Sequence, residues 1–187
     1  VRCFEDSNVH HVAGSVDPVR DIEVISTELI IADLESVQKR MDRVAKDAKR
    51  GDKLAIAELE VLKKLEPHLN DGKPAITLQL TPEEKAISRP LFMLSDKPTL
   101  FAANVKESDL ASADSNPYIA RVREFAAAHH ACETVVISAQ IESDLIDLSA
   151  EEAAEFLKEL GVQESGVGAL IRGTYHLLGL RTYFTAG

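Results

Sequence analysis

Two short apolar runs with a helix-like segment between them constrain the fold of this chain most strongly. The first run lies in residues 98–107 (Pro-Thr-Leu-Phe-Ala-Ala-Asn-Val-Lys-Glu) and the second in residues 134–142 (Thr-Val-Val-Ile-Ser-Ala-Gln-Ile-Glu). The segment from Pro117 to Ala128 between them has the length and apolar spacing of a helix. Because a strand, a helix and a second strand in this order form a parallel βαβ unit, the sequence predicts an α/β fold.

Both apolar runs end abruptly in polar residues. The first ends in Asn104 and, three residues later, Glu107, and the second ends in Ser138 and Ala139. Ligands of open α/β sheets bind at the carboxyl ends of the strands, so these two ends are expected to form the base-contacting half of a nucleotide pocket. The sequence contains no G-x-x-x-x-G-K-[ST] motif, so no segment of it is predicted to hold phosphates as a P-loop does.

Composition limits the classes of function. The net charge of -10 argues against a surface that binds nucleic acid generally, and the absence of Trp argues against an aromatic platform for sugars or single strands. No apolar run approaches the roughly 18 residues of a membrane span, and no signal peptide is recognisable. Cys3 and Cys132 are expected to be buried free thiols, and the protein is expected to be cytoplasmic without membrane contact.

A long amphipathic segment follows the polar loop of residues 5–18. Its apolar residues are spaced alternately four and three apart, which predicts a heptad seam. The seam consists of Ile30, Leu34, Val37, Met41, Val44 and Ala48. A second apolar stripe follows Gly51, formed by Ala55, Leu59, Leu62, Leu65 and Leu69. The short connection makes the two helices antiparallel neighbours, so residues 26–70 are predicted to form a two-helix coiled-coil arm.

The remaining segments carry helix-start signals. Thr81 followed by Pro82 and two acids predicts a helix that runs to about Asp96, with a possible kink at Pro90. Ser149 caps a helix that Gly161 ends. A last helix is predicted over about 167–178, and residues 180–187 are predicted to form a strand.

Sheet-like segments lie on both sides of the arm, which predicts an insertion. We assign residues 1–25 to part of a nucleotide domain and residues 26–97 to the inserted arm and a return helix. Residues 98–187 hold the base-reading strands and the C-terminal helices. The fold class is therefore α/β, a partial P-loop NTPase-type parallel sheet with an inserted antiparallel two-helix coiled-coil arm.

The polar end at Asn104 favours adenine. Guanine-binding P-loop proteins carry Asn-Lys-x-Asp after the equivalent strand, and the Asp accepts from N1 and the 2-amino group of guanine. Here Val105 replaces the Lys, and Glu107 replaces the Asp. An Asn amide still pairs with N6 and N7 of adenine, so the replacements favour adenine or relaxed specificity. The alternative is an ordinary turn after a strand.

Six segments of the chain together resemble the YchF / Obg-like ATPase family. They are Arg2-Cys-Phe-Glu-Asp6, Gly14-Ser-Val-Asp-Pro-Val-Arg-Asp-Ile-Glu23, Lys97-Pro98, Asn104-Val-Lys-Glu107, Leu148-Ser-Ala-Glu-Glu152 and Thr182-Tyr-Phe-Thr-Ala-Gly187. The resemblance implies a nucleotide domain, an inserted coiled-coil arm and a TGS domain. It also implies an internal piece of such a protein, beginning after the Walker-A and Walker-B segments and stopping before the TGS domain.

The resemblance further implies a set of residues that bind the nucleotide at its base, among which Glu107 occupies the place of the Asp that would enforce guanine. They are Phe4, Asn104, Val105, Glu107, Ser138 and Ala139. Asn104 corresponds to the Asn that bonds the adenine edge, Val105 to the apolar residue against the ring, and Phe4 to an aromatic that packs on the base. The family hydrolyses ATP in preference to GTP and needs Mg²⁺, with phosphate and metal ligands in the segments that this sequence lacks. No catalytic or metal-binding residue is therefore assigned, and the chain alone is expected to be inactive.

Basic residues concentrate towards the tip of the predicted arm. Between Lys39 and Lys64 there are nine basic and five acidic residues, in a chain that is acidic as a whole. A solvated coiled-coil face is one explanation. The alternative is that the tip binds a polyanion, and the family's association with ribosomes implies ribosomal RNA. The tip residues are Lys46, Lys49, Arg50 and Lys53.

Two further possibilities follow from the sequence. His10, His11, His129, His130 and Cys132 suggest a metal site, but their spacing matches no standard zinc pattern, and solvated histidines are favoured. The alternative function is a non-enzymatic coiled-coil interaction module that binds a protein or RNA partner.

Overall fold

The computed structural model describes residues 1–6, 14–129 and 133–185. The chain divides into two compact units, which we call the sheet unit (Val1–Ile22 and Pro98–Gly187) and the arm unit (Glu23–Lys97). Among the described residues, no helix is both long enough and apolar enough to cross a bilayer. Several residues considered above as metal ligands or thiols lie outside the described residues: His10, His11, His130 and Cys132.

Helices dominate the arm unit. The α-helices are α1 (Pro18–Lys49, whose first turns belong to the sheet unit), α2 (Lys53–Asn70) and α3 (Pro82–Ser88). Short 3₁₀ turns occur at Ala75–Thr77 and Arg89–Leu91.

The predicted apolar seam holds α1 against α2. Ile30, Val37 and Val44 are buried in one cluster with residues of α2, and the members from α2 are Val61, Leu62, Leu65 and Leu69. Each fully buried aliphatic side chain stabilises such a cluster by about 1.5–3 kcal/mol. Two cross-helix pairs show that the helices are antiparallel, since Gln38 bonds Glu66 while Arg40, further along α1, bonds Glu58, earlier in α2.

A tight turn joins α1 to α2. Gly51 has φ +88°, a left-handed conformation that a glycine adopts without steric cost. Asp52 then caps α2, because its carboxylate accepts from the backbone N–H of Leu54 at 2.8 Å and of Ala55 at 3.0 Å.

The return helix is shorter than the sequence predicts. Its start is as expected, with Thr81 and Glu84 forming a reciprocal capping box. The predicted end near Asp96 is wrong, because α3 ends at Ser88 and a 3₁₀ turn containing Pro90 follows. Proline cannot donate to the i-4 carbonyl and its ring clashes there, so the helix stops, and Phe92 turns the chain with φ +51°.

The described part of the sheet unit contains two strands and several helices. Its elements after Pro98 are β1 (Leu100–Asn104), α4 (Glu107–Leu110), α5 (Pro117–Ala128), β2 (Glu133–Ile137), α6 (Ala139–Leu145), α7 (Ala150–Glu159) and α8 (Gly166–Leu177). A 3₁₀ turn at Ala113–Ser115 precedes α5.

The predicted parallel βαβ unit is confirmed. β1 pairs with β2 in parallel from Leu100↔Glu133 to Asn104↔Ile137, and the crossover helix α5 has the predicted bounds. A third segment adds a parallel bridge, Arg2↔Asn104, on the other side of β1. This α/β arrangement, with its inserted helical segment, is the predicted fold class.

Alternation along the strands gives each face of the sheet its own helix. Val136 packs in the cluster of Ile119 and Val122 of α5, whereas Val135 contacts Gly173 of α8. Because successive strand residues point to opposite faces, α5 and α8 cover opposite faces of the sheet.

One further expectation differs from the structure, and one helix of the structure was not expected. Residues 180–185 form no strand, because no neighbouring strand in the described part of the chain pairs with them. Helix α6, which begins immediately after β2, was not predicted, and Ile141 is its one buried residue.

Candidate nucleotide-base site

Three parallel segments end side by side at one edge of the sheet unit. The backbone N–H of Cys3 donates to the carbonyl of Asn104 at 2.8 Å, and that of Val105 donates to the carbonyl of Ile137 at 2.9 Å. Phe4, Val105 and Ser138 each follow one of these pairings, so the loops that carry them are neighbours. The sheet register therefore brings together the three loops that carry the residues predicted to contact a base.

A hydrogen bond joins two of these loops directly. The Oδ1 atom of Asn104 accepts from the backbone N–H of Ala139 at 2.9 Å. This contact fixes the orientation of the amide, so its Nδ2 group is available as a donor while Oδ1 keeps a second lone pair. The N–H of Ala139 is itself engaged by Asn104.

Val105 and Glu107 lie in different environments. Val105 is 2% exposed and packs in the core cluster with Ala103 and Ile119, so its side chain anchors the loop. Its predicted contact with a base stays a prediction. Glu107 is the exposed first residue of α4, and its carboxylate forms no hydrogen bond or ion pair within the described residues. It is free to accept from a ligand.

Phe4 is half-buried, and Arg2 covers one face of its ring. The guanidinium carbon lies 4.9 Å from the ring centroid, a cation–π distance, and Nε donates to the carbonyl of Phe4 at 2.9 Å. The aromatic side chain is thus held at the edge where Asn104 ends β1.

Two residues that sequence reasoning missed hold the Phe4 segment in place. Asn116 caps α5 through Oδ1, and its Nδ2 donates to the carbonyl of Cys3 at 3.2 Å. The hydroxyl of Tyr118 donates to Glu5 at 2.7 Å. The pair Asn116-Pro117 signals a helix start, but nothing in the sequence indicates a bond to a residue 113 positions away.

Two buried groups lie beside the loops. The hydroxyl of Ser138 is fully buried and has no hydrogen-bond partner within the described residues. Leaving such a group unpaired costs about 1–3 kcal/mol, and a polar atom of a bound ligand would relieve that cost. Burial raises the pKa of the Cys3 thiol to about 11, so this cysteine is structural and not a nucleophile.

The arrangement fits a nucleobase better than a metal or phosphates. Asn104 offers an amide donor and acceptor, Glu107 a free carboxylate and Phe4 an aromatic ring, which together match the edge and face of a base. In contrast, no three His, Cys, Asp or Glu side chains in the described ranges converge as metal ligands. The described residues therefore form no site for Mg²⁺.

Relatives with a common name match the whole chain. A Bacillus subtilis protein named "Ribosome-binding ATPase YchF" is 48% identical over 187 residues, which is all of this chain and 51% of that protein. The protein of the same name from Escherichia coli O157:H7 is also 48% identical, with 50% of its length covered. The Mycoplasma pneumoniae protein is 35% identical. The chain spans about half the length of the curated relatives it matches. No protein-family model matches it.

A solved structure agrees with these relatives. The structure of the Schizosaccharomyces pombe YchF GTPase superposes with a TM-score of 0.83 and 29% identity, covering 100% of this chain and 51% of that one. The names differ on the nucleotide, since the relatives are called ATPases and the solved protein a GTPase. Neither name supports the alternative of a non-enzymatic module.

Proposed function

We propose, from the premise that this chain belongs to the YchF / Obg-like ATPase family, that its sheet edge binds the base of a nucleotide that the intact protein hydrolyses. The observation that carries the proposal is the hydrogen bond between Asn104 and Ala139, which joins the loops that follow β1 and β2. The described residues include no cluster of metal ligands and the sequence contains no P-loop motif, so we assign Mg²⁺ and phosphate binding to none of them.

We propose further that the site prefers ATP to GTP. Glu107 is longer than the Asp that accepts from guanine, and the buried Val105 cannot be exchanged for a lysine without burying a charge. The amide of Asn104 offers the donor and acceptor that N7 and N6 of adenine require. ATP hydrolysis would then depend on this edge for positioning, since phosphoryl transfer is catalysed mainly by positioning and charge stabilisation.

Steady-state hydrolysis of ATP and GTP by the intact protein tests this preference. In the variant Asn104→Ala, kcat/KM for ATP should fall by roughly 5- to 150-fold, because the lost base contact is worth about 1–3 kcal/mol. In Glu107→Asp, the ratio of ATP to GTP hydrolysis should shift towards GTP. Asp is equally suited to the first turn of α4, so this variant leaves the fold intact. A higher kcat/KM for GTP than for ATP in the unchanged protein would refute the preference.

We propose that the arm tip of the intact protein contacts the ribosome through its RNA. The relatives are named ribosome-binding, and four exposed cations surround the turn at Gly51. Arg50 pairs with Asp47 at 3.2 Å, whereas Lys46, Lys49 and Lys53 form no ion pair within the described part of the chain. Unpaired exposed cations gain most from phosphate contacts, because each contact releases condensed counterions.

Co-sedimentation with ribosomes tests this contact. Changing Lys46, Lys49, Arg50 and Lys53 together to Glu should abolish co-sedimentation at moderate salt and flatten the salt dependence of binding. The control is Lys158→Glu, which reverses an exposed charge on α7 of the sheet unit. Undiminished binding by the fourfold variant would refute the role of the tip.

A further inference from the structure

The arm unit contains a cleft that neither the nucleotide site nor the arm tip uses. It has a volume of about 400 Å³ and lies between α1, α2 and the 3₁₀ turn at Arg89–Leu91. This volume is within the range of ligand-binding clefts in proteins. All of its lining residues belong to the arm unit, so the cleft is complete within that unit.

The floor of the cleft is aliphatic. Val37 and Met93, which are 1% and 4% exposed, form its base, and Pro90 and Leu91 form one side. No aromatic side chain lines it. Nucleobases bind proteins largely by stacking on aromatic rings, so this floor suits an aliphatic side chain better than a base.

The rim of the cleft is basic. Lys39, Arg40 and Arg43 line it, against the single carboxylate of Glu58. Arg40 already binds Glu58 through two hydrogen bonds of 2.6 Å and 2.9 Å, and this pair forms a fixed wall.

Two of the rim cations remain available to a ligand. Lys39 has only a loose 3.4 Å contact with Glu35, in which both side chains are exposed, and such pairs are worth little. The guanidinium of Arg43 forms no ion pair or hydrogen bond with any described residue. Its planar fork is suited to a carboxylate.

We propose that this cleft binds an acidic peptide segment that carries an aliphatic anchor. The anchor fills the floor over Val37 and Met93, and flanking carboxylates pair with Arg43 and Lys39. A short segment laid along the groove beside α1 uses the same combination of apolar anchor and charged rim as other peptide-binding grooves. The charge complementarity sets the orientation and the on-rate, and the anchor provides most of the affinity.

Amide chemical shifts of the ¹⁵N-labelled chain test the proposal, with the synthetic peptide acetyl-Glu-Asp-Leu-Glu-Asp-amide as the probe. Saturable shifts should appear at Val37, Leu91 and Met93. Arg43→Glu should weaken binding by about tenfold, because it replaces an attractive charge pair with a repulsive one in the same place. Ser36→Trp, at an exposed position on the rim, should fill the cleft and abolish binding. Lys73→Glu, at an exposed position of the arm unit outside the cleft, should leave peptide binding unchanged.

Three outcomes would overturn the proposal. The first is the absence of saturable shifts at these amides. The second is equal affinity for a peptide in which Asp replaces the Leu, because the floor would then be unused. The third is displacement of the peptide by hexauridylate at equal concentration, which would identify the cleft as a site for RNA phosphates. Spectra of Arg43→Glu and Ser36→Trp that match the unchanged protein outside the cleft establish that both variants are folded.

Discussion

Single glycines decide how closely α8 approaches the sheet. A Cβ atom added at Gly166 would lie 2.9 Å from the Cβ and Cγ2 of Ile137 and 3.0 Å from its Cα. At Gly173, an added Cβ would lie 3.0 Å from Val135 Cγ2. Real Cβ atoms essentially never lie closer than 3.0 Å to another atom and rarely lie at 3.0 Å, so the close packing of the helix on β2 depends on the absence of a side chain at these positions.

We therefore predict that Gly166→Ala destabilises the protein by about 1–3 kcal/mol, the usual cost of overpacking. This is opposite in sign to the roughly 0.5–1 kcal/mol that Gly→Ala normally gains within a helix. Urea unfolding measures the difference. Gly168→Ala is the matched control in α8, because its Cβ would meet only Ser165 Oγ at 3.3 Å and Glu164 Oε2 at 3.7 Å, and its loss should be smaller. An unfolding midpoint for Gly166→Ala above that of the unchanged protein would contradict the packing described here.

At the residue scale, the sequence indicates which residues lie at the candidate site better than it indicates what each of them contacts. Asn104 and Glu107 were recognisable because polar residues directly follow an apolar run. No local pattern predicts the burial of Val105 or the hydrogen bond from Asn116 to the carbonyl of Cys3. Both depend on packing between segments that are far apart in the chain. Whether the predicted residues contact a base stays a prediction.

At the scale of elements, helix α1 forms the seam with α2 and also holds two loops of the arm unit. Asp33 on α1 is 3% exposed and accepts three hydrogen bonds, from the N–H of Leu94 and of Ser95 at 2.7 Å each and from the Ser95 hydroxyl at 2.6 Å. The Ser95 hydroxyl in turn accepts from the N–H of Ala75 at 3.0 Å. One carboxylate thus holds two loops of the arm unit against the helix.

Replacing this carboxylate should be costly. Asp33→Ala leaves the buried N–H and hydroxyl of Ser95 and the partly buried N–H of Leu94 without their acceptor, and each unsatisfied buried group costs about 1–3 kcal/mol, so we predict a loss of about 3 kcal/mol. The free energy of urea unfolding gives the value. Glu35→Ala, two residues along the same helix but exposed, should change it by less than about 0.5 kcal/mol. Equal losses for the two variants would show that Asp33 does not hold the loops.

The start of α3 should make the arm unit sensitive to acid. The pKa of Glu84 is lowered, chiefly by its hydrogen bond with Lys64 and then by the backbone of Thr81. Because the folded state binds the proton less tightly than the unfolded state, this carboxylate stabilises the fold above its ordinary pKa of 4.5. That contribution is lost as the pH falls through and below this value.

The variant Glu84→Gln keeps an oxygen for the capping box but removes the charge. We predict that the unchanged protein is more stable than this variant at pH 7 and that the difference shrinks between about pH 5 and pH 3. Thermal unfolding at a series of pH values measures it. A difference that stays constant over this range would show that the charge of Glu84 contributes nothing to stability.

At the element scale, the predictions that succeeded rest on local chemistry. The bounds of α5, the caps at Thr81 and Ser149 and the seam of α1 follow from capping residues and apolar spacing. The misplaced end of α3 was also locally encoded, since Pro90 marks it. Helix α6 was missed because a short helix with one buried residue has hardly any apolar period.

At the scale of the whole molecule, the chain combines a nucleotide-type sheet with an inserted helical segment. Its match to proteins about twice its length extends over all 187 residues. The fold class was predictable because the βαβ order and the heptad seam are both encoded locally, whereas the convergence of three loops at one edge required the sheet register. We propose that this edge binds adenine in preference to guanine.

The most direct test is the thermal unfolding of the intact protein with ATP, with GTP and without nucleotide. A ligand at 100 times its Kd stabilises the folded state by about 2.7 kcal/mol, so ATP should raise the Tm clearly and GTP should raise it less. In Asn104→Ala the shift with ATP should largely disappear. Equal shifts with ATP and GTP would show that the site does not prefer adenine. A full ATP shift in Asn104→Ala would show that Asn104 does not bind the base.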